Sequence, residues 1–166
     1  MELPPRNFNV ICRNVFSSIK RYNELRHQVM VLDMTLLSIL NDVNIDYWLT
    51  TKKILDNNAI FQSYINLFQS IYKSLTMIIH CIRGDDTLIP LSDKLNDQLW
   101  DSQNNGHIRR LLSWIDSLKT DITRDEAHDE YCKIDELRMN NFKAINEVVQ
   151  LIVDDLIKIN DTRTKK

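Results

Sequence analysis

From Phe61 to Ile82 the chain places Phe61, Ile65, Phe68, Tyr72, Leu75, Ile79 and Ile82 at alternating steps of four and three without a miss. Positions so spaced share one face of an α-helix but divide between the two faces of a strand, so the pattern predicts a helix with one apolar seam. Ile54 extends the register backward, giving one helix over about 50 to 83. Its neighbours Ile60, Tyr64, Leu67, Ile71 and Ile78 broaden the face beyond a two-position seam, which predicts a central helix touching more than one partner. A second register, Ile11, Val15, Ser18, Tyr22, Leu25, Val29, Leu32, Leu36 and Ile39, is apolar except at Ser18 and predicts a helix, or two nearly collinear ones, over about 9 to 42. Ile108, Leu111, Ile115, Leu118 and Ile122, with Trp114 on the flank, predict another over about 107 to 122. The last helix begins where Thr123 and Glu126 have capping-box spacing and Asp125 meets the helix dipole, and its later half repeats Phe142, Ile145, Val149, Ile152, Leu156 and Ile159.

Between these runs, Gly84, Asp85, Asp86 and Pro90 break the pattern, with Gly84 expected to accept a left-handed helix end. Residues 84–106 are therefore expected to be an irregular connection with one short helix, capped by Ser92 and carrying Leu95, Leu99 and Trp100. Ser102, Gln103, Asn104, Asn105 and Gly106 are expected to be its mobile polar link, and 160–166 a polar frayed tail. Only two glycines and three prolines occur, too few for the turns of a β-sandwich or barrel. The expectation is one all-α domain over 1–166, an elongated up-and-down helical bundle of four to five helices with coiled-coil-like packing. At 166 residues such a domain is held by burial alone, without metal or disulfide.

Charge narrows the function classes. A net charge of −2 provides no field for generic nucleic-acid binding. The most apolar stretch, Ala59 to Ile82, is flanked and crossed by Asn58, Gln62, Asn66, Gln69 and Lys73, a wet stripe that rules against a membrane span. Cys12, Cys81 and Cys132 leave at least one thiol unpaired, which points to buried free thiols in a reducing compartment, cytoplasm or nucleus. The amino terminus has no apolar run of signal-peptide length, so secretion is expected only if such a segment has been removed.

Several motifs have bland explanations. Asp125-Glu126-Ala127-His128 spells a helicase box, but no glycine-rich phosphate loop accompanies it. His128 and Cys132 share a helix face, whereas His80 and Cys81, being adjacent, point about 100° apart and do not complete a zinc set. Arg83-Gly84-Asp85 is an integrin tripeptide in an expected exposed loop, and Asn160-Asp161-Thr162 has the form of a glycosylation acceptor. The pairs Asp85-Asp86 and Asp154-Asp155 are loop and helix-surface charges. No nucleophile stands beside a base on a strand-to-helix turn, so no enzyme, cofactor or metal is expected.

Heptad stripes on nearly every helix point to a non-enzymatic interaction module, an adaptor or subunit of a larger intracellular eukaryotic or viral complex, whose partners are other helical proteins in a homo- or hetero-oligomer. The expected partner-binding residues are the surplus apolar positions Ile60, Tyr64, Leu67, Ile71, Val148 and Leu151, with Trp100 and Trp114, since tryptophan either completes a core or anchors a partner. A second expectation comes from Phe142-Lys143-Ala144-Ile145-Asn146-Glu147, which resembles the Lys-Ala-x-x-Glu element of interferon-gamma and interleukin-10-type cytokines, while Tyr64-Ile65-Asn66-Leu67-Phe68 is similar to one of their middle helices. That resemblance implies a secreted helical cytokine that binds a cell-surface receptor. Leu99-Trp100 and Asn105-Gly106-His107-Ile108 resemble the asparagine-glycine turn of apoptosis-regulating helical proteins, although Arg109, Arg110, Asp116 and Lys119 make the next helix too polar for that family's central hairpin.

Overall fold

The computed structural model describes residues 5–56, 59–104 and 106–164. Their elements in chain order are α1 (Pro5–Leu40), α2 (Ile45–Asp56), α3 (Ala59–Ile82), a 3-10 turn (Asp86–Leu88), α4 (Ile89–Asn104), α5 (His107–Ser117) and α6 (Arg124–Thr164). No strand occurs among the described residues.

Cross-chain contacts fix the topology. Tyr64 at the start of α3 meets Asp33 near the end of α1, so the two run antiparallel. Tyr72 meets Ser102 at the end of α4, and Phe61 meets Trp114 near the end of α5, so α4 and α5 are successive pieces of one rod running back along α3. Trp114 Nε1 donates to the Ala127 carbonyl at the start of α6, which then returns antiparallel to that rod. The result is an up-and-down four-rod bundle: α1 against α3, α3 against α4, and α4 with α5 against α6. The fourth side, α1 against α6, is the sparsest long contact of the ring. Across the diagonal, the Phe68 and Phe142 rings stack at 6.0 Å.

Over the stretch expected as one helix, 50 to 83, the described residues are helical to Asp56 (α2) and from Ala59 (α3), and 57–58 lie outside the described residues. α2 starts earlier because Asn44 Oδ1 accepts the backbone N–H groups of Asp46 and Tyr47 at 3.0 and 3.2 Å, satisfying donors that a helix start leaves open. α2 also buries a different face from the α3 register: Trp48, Thr51 and Leu55 turn inward and Ile54 is 55% exposed. Lys52 Nζ reaches the Thr120 carbonyl and Arg124 Nη1 reaches that of Asp42, tying the α1–α2 link to the α5–α6 turn. At that turn Thr123 Oγ1 accepts the Glu126 N–H at 3.2 Å, the N-cap expected there.

The connection over 84–106 is more regular than expected, since α4 occupies Ile89–Asn104. Its supposed mobile end is packed: Ser102, Gly106 and His107 are buried, while Asn105 lies outside the described residues. A Cβ on Gly106 would fall 2.5 Å from the Ser102 carbonyl oxygen and 2.4 Å from Asn141 Nδ2, so absence of a side chain lets α4 turn into α5 against α6. Gly84 is not in the left-handed conformation expected of it. Its role is close approach, because a Cβ there would lie 3.2 Å from Ile11 Cδ1. Residues 160–164 of the expected frayed tail continue α6, and 165–166 lie outside the described residues.

In α1 the buried face drifts away from the strict seven-residue register. Val15, Tyr22, Leu25, Val29 and Leu36 are buried as expected, but Asp33 and Leu40 turn inward where Leu32 and Ile39 were expected. An α-helix of 3.6 residues per turn falls behind a heptad by about 20° per repeat, so over several heptads the next residue takes the inner place. The drift puts an aspartate in the core.

Candidate functional site

Asp33 on α1 and Arg138 on α6 both occupy seam positions where the neighbouring turns carry apolar residues, and they are 3% and 7% exposed. Arg138 Nη1 lies 2.6 Å from Asp33 Oδ2, and Tyr64 Oη donates to Asp33 Oδ1 at 2.6 Å. The Tyr131 hydroxyl donates to the same Oδ1, Arg138 Nη1 donates to Tyr64 Oη at 3.0 Å, and Arg138 Nη2 pairs with Asp135. Two charges removed from water are thus paired and hydrogen-bonded, the condition under which burial of charge is tolerated.

Burial raises the Asp33 carboxyl above its ordinary value, against the lowering pull of Arg138 and of the Tyr131 and Tyr64 hydroxyls. Burial likewise raises both tyrosines, keeping their hydroxyls protonated as donors. Burial alone would lower Arg138, but Tyr64, Asp33 and Tyr131 outweigh it, and its charge is held.

A third buried group stands nearby. His107 is 1% exposed between the Phe68 and Phe142 rings, with centroids at 4.7 and 5.8 Å. Asn141 Nδ2 donates to its Nδ1 at 2.9 Å, so the neutral ring carries its proton on Nε2, which has no acceptor. Burial first, then the Arg138 charge, lowers its pKa to about 3. These groups are committed to one another and form the floor and support of a groove.

That groove, of about 730 Å³, runs along the sparse α1–α6 side of the bundle. Val29 and Phe142 lie in it together with Asp33 and Arg138, and Met30 and Met139 are its lips, 53% and 63% exposed. Two polar crossings link its walls: Tyr22 Oη donates to Asn146 Oδ1 at 2.6 Å, and Asp33 meets Arg138. Arg26, His27, Lys143 and Glu147 add charge and polarity along the walls.

Most expected partner-binding residues are elsewhere. Tyr64, Ile71, Trp114 and Val148 are 1%, 0%, 3% and 2% exposed, so they are core and not surface. The breadth of the α3 face is absorbed by α1, α4 and the diagonal contact with α6, and Trp114 is fixed by its bond to Ala127. Leu67 is half-buried, packed against the core. Trp100 and Leu151 are 58% and 43% exposed, and the Ile60 side chain lies outside the described residues. None of the seven whose side chains are described lines the groove. The signal for its floor was present: stepping back by seven from Ile145 reaches Arg138 and then Tyr131, a charge inside an extended apolar stripe.

The short motifs are placed as follows. Asp125 and Glu126 are exposed in the first turn of α6 and Ala127 is in the core. Asp85 of the integrin-like tripeptide is 3% exposed, contrary to the expected exposed loop, because its carboxylate accepts from the Thr87 backbone and hydroxyl and caps the 3-10 turn. Cys132 is exposed beside His128, with the sulfur 3.9 Å from the ring nitrogens, and Cys12 and Cys81 are half-buried, so the thiols are less buried than expected. Among the described residues no group of three or more His, Cys, Asp or Glu side chains is placed to hold a metal ion, and no helix is long and apolar enough to cross a membrane. No protein-family model, curated protein or solved structure matches the chain.

Proposed function

We propose that the chain is a non-enzymatic protein–protein interaction module, an adaptor or subunit of a larger complex, which receives a helix of its partner between α1 and α6. One observation carries this reading: the sparsest side of the four-rod bundle, α1 against α6, holds a groove whose lips are exposed methionines, Met30 and Met139. Unbranched, polarizable methionine adapts to the shape of an incoming apolar face, and an amphipathic helix laid in such a groove uses the i, i+3, i+4, i+7 spacing of ordinary helix packing. Three cysteines without a disulfide support a reducing compartment for this work.

The test uses the whole chain as bait in extract of its native source, beside a Met30→Glu/Met139→Glu variant verified as folded by circular dichroism. Both side chains are mostly exposed, so the change falls on the groove and spares the core. The reading expects a stoichiometric companion held by the wild-type chain and lost from the variant. An identical set of companions on both baits contradicts it.

A further inference from the structure

We infer that the occupant of the α1–α6 groove is an acidic amphipathic helix, one that carries a carboxylate one turn away from an apolar anchor. The inference rests on the docking reading above and specifies the chemistry of the partner. Because α1 and α6 are antiparallel and crossed by Tyr22–Asn146 and by Asp33–Arg138, residues between those crossings pair off by level. Arg26 falls opposite Lys143, and Met30 falls opposite Met139 one turn nearer the Asp33 end. The groove therefore has a methionine level and a cationic level.

Neither cation is neutralised by the chain itself. Arg26 stacks over the Tyr22 ring at 5.2 Å and donates from Nη2 to the neutral Asn23 side chain at 3.1 Å, while its Nε is buried without an acceptor. Among the described residues Lys143 makes no ion pair, even with Glu147 one turn along the same helix. The Asp33 carboxylate in the floor is already taken by Arg138 and the tyrosines. Two like charges brought to one level from opposite walls repel, and the repulsion is relieved by an anion placed between them. The partly desolvated arginine, with donors unused in a fixed fork, suits a carboxylate.

Length favours a helix over a compact ligand. The lining residues span Asn23 to Asp33 on α1 and Arg138 to Gln150 on α6, roughly 15 to 18 Å at 1.5 Å per residue, or about three turns. An apolar residue would enter between Met30 and Met139, and a glutamate or aspartate three or four positions away would reach Arg26 and Lys143.

Fluorescence anisotropy with two designed helical peptides tests this. Both carry leucines at i, i+3, i+4 and i+7, one flanked by glutamates and the other by lysines at the same positions. At low salt the wild-type chain is expected to bind the acidic peptide about tenfold or more tighter than the basic one, and Arg26→Glu/Lys143→Glu to invert the order. Lys143→Glu alone, at an exposed position that does not threaten folding, is expected to weaken acidic-peptide binding several-fold. Equal binding of both peptides, abolished by Met30→Glu/Met139→Glu, overturns the acidic occupant and leaves groove docking standing. Binding of neither peptide, or an acidic preference that survives the charge reversals, overturns the inference, while the bait comparison judges the docking reading separately.

Discussion

Asp33 and Arg138 show how much a single seam position decides. Each stands where an aliphatic side chain would contribute its burial, and each is tolerated because the other is 2.6 Å away and two tyrosine hydroxyls donate to the carboxylate's Oδ1, leaving Oδ2 to the ion pair alone. Removing one partner strands a buried charge, so Asp33→Leu or Arg138→Met alone is expected to cost about 3–5 kcal/mol in urea denaturation, whereas the double replacement costs less than the sum of the two, short of wild type because the Tyr64 and Tyr131 hydroxyls lose their acceptor. Additive losses would mean that the two are not coupled. His107 makes a separate pH signature. The unfolded chain binds a proton at this residue near pH 6.5 and the folded chain only near 3, so its contribution is complete above about 6.5 and falls as pH drops through that window. The slope is about 1.4 kcal/mol per pH unit, giving roughly 2 kcal/mol lost by pH 5. His107→Gln keeps an acceptor for the Asn141 amide and is expected to flatten stability between pH 6.5 and 5. Equal slopes in variant and wild type would contradict a buried neutral imidazole.

The elements themselves were largely readable from spacing. The seams of α3 and of the later half of α6 largely match the buried residues, since Phe61, Phe68, Tyr72, Leu75, Ile79 and Ile82 are in the core while Ile65 of the same register is only half-buried. Reading failed where geometry is not periodic. The early start of α2 depends on the Asn44 cap, its buried face differs from that of α3, and the Asp33 position depends on the drift of a long helix against a fixed repeat. Gly106 was read as part of a polar link because glycine with asparagine signals a turn, whereas its neighbours make it a tight corner inside one rod. Gly106→Ala must push the Ser102 backbone or the Asn141 side chain aside, and is expected to cost about 1–3 kcal/mol as overpacking, with faster amide exchange at the end of α4. A neutral substitution would show that the α4–α5 corner yields freely.

At the scale of the whole molecule, the groove was not legible from sequence. Surplus apolar residues on a helix are consumed by however many neighbours it has, and α3 has enough to bury Tyr64 and Ile71 completely. Which side of a bundle stays open is decided by the relative closeness of four rods, which no one helix encodes. That open side, crossed by Tyr22–Asn146 and Asp33–Arg138, is the proposed docking site, and the methionine methyl groups report on it directly. Met30 and Met139 line the groove, whereas Met77 lies on the adjacent α1–α3 side. In a methyl-labelled spectrum titrated with the acidic amphipathic peptide, the Met30 and Met139 resonances are expected to shift together and saturably while Met77 stays fixed. A titration that moves Met77, or leaves both groove methyls in place, would contradict docking between α1 and α6.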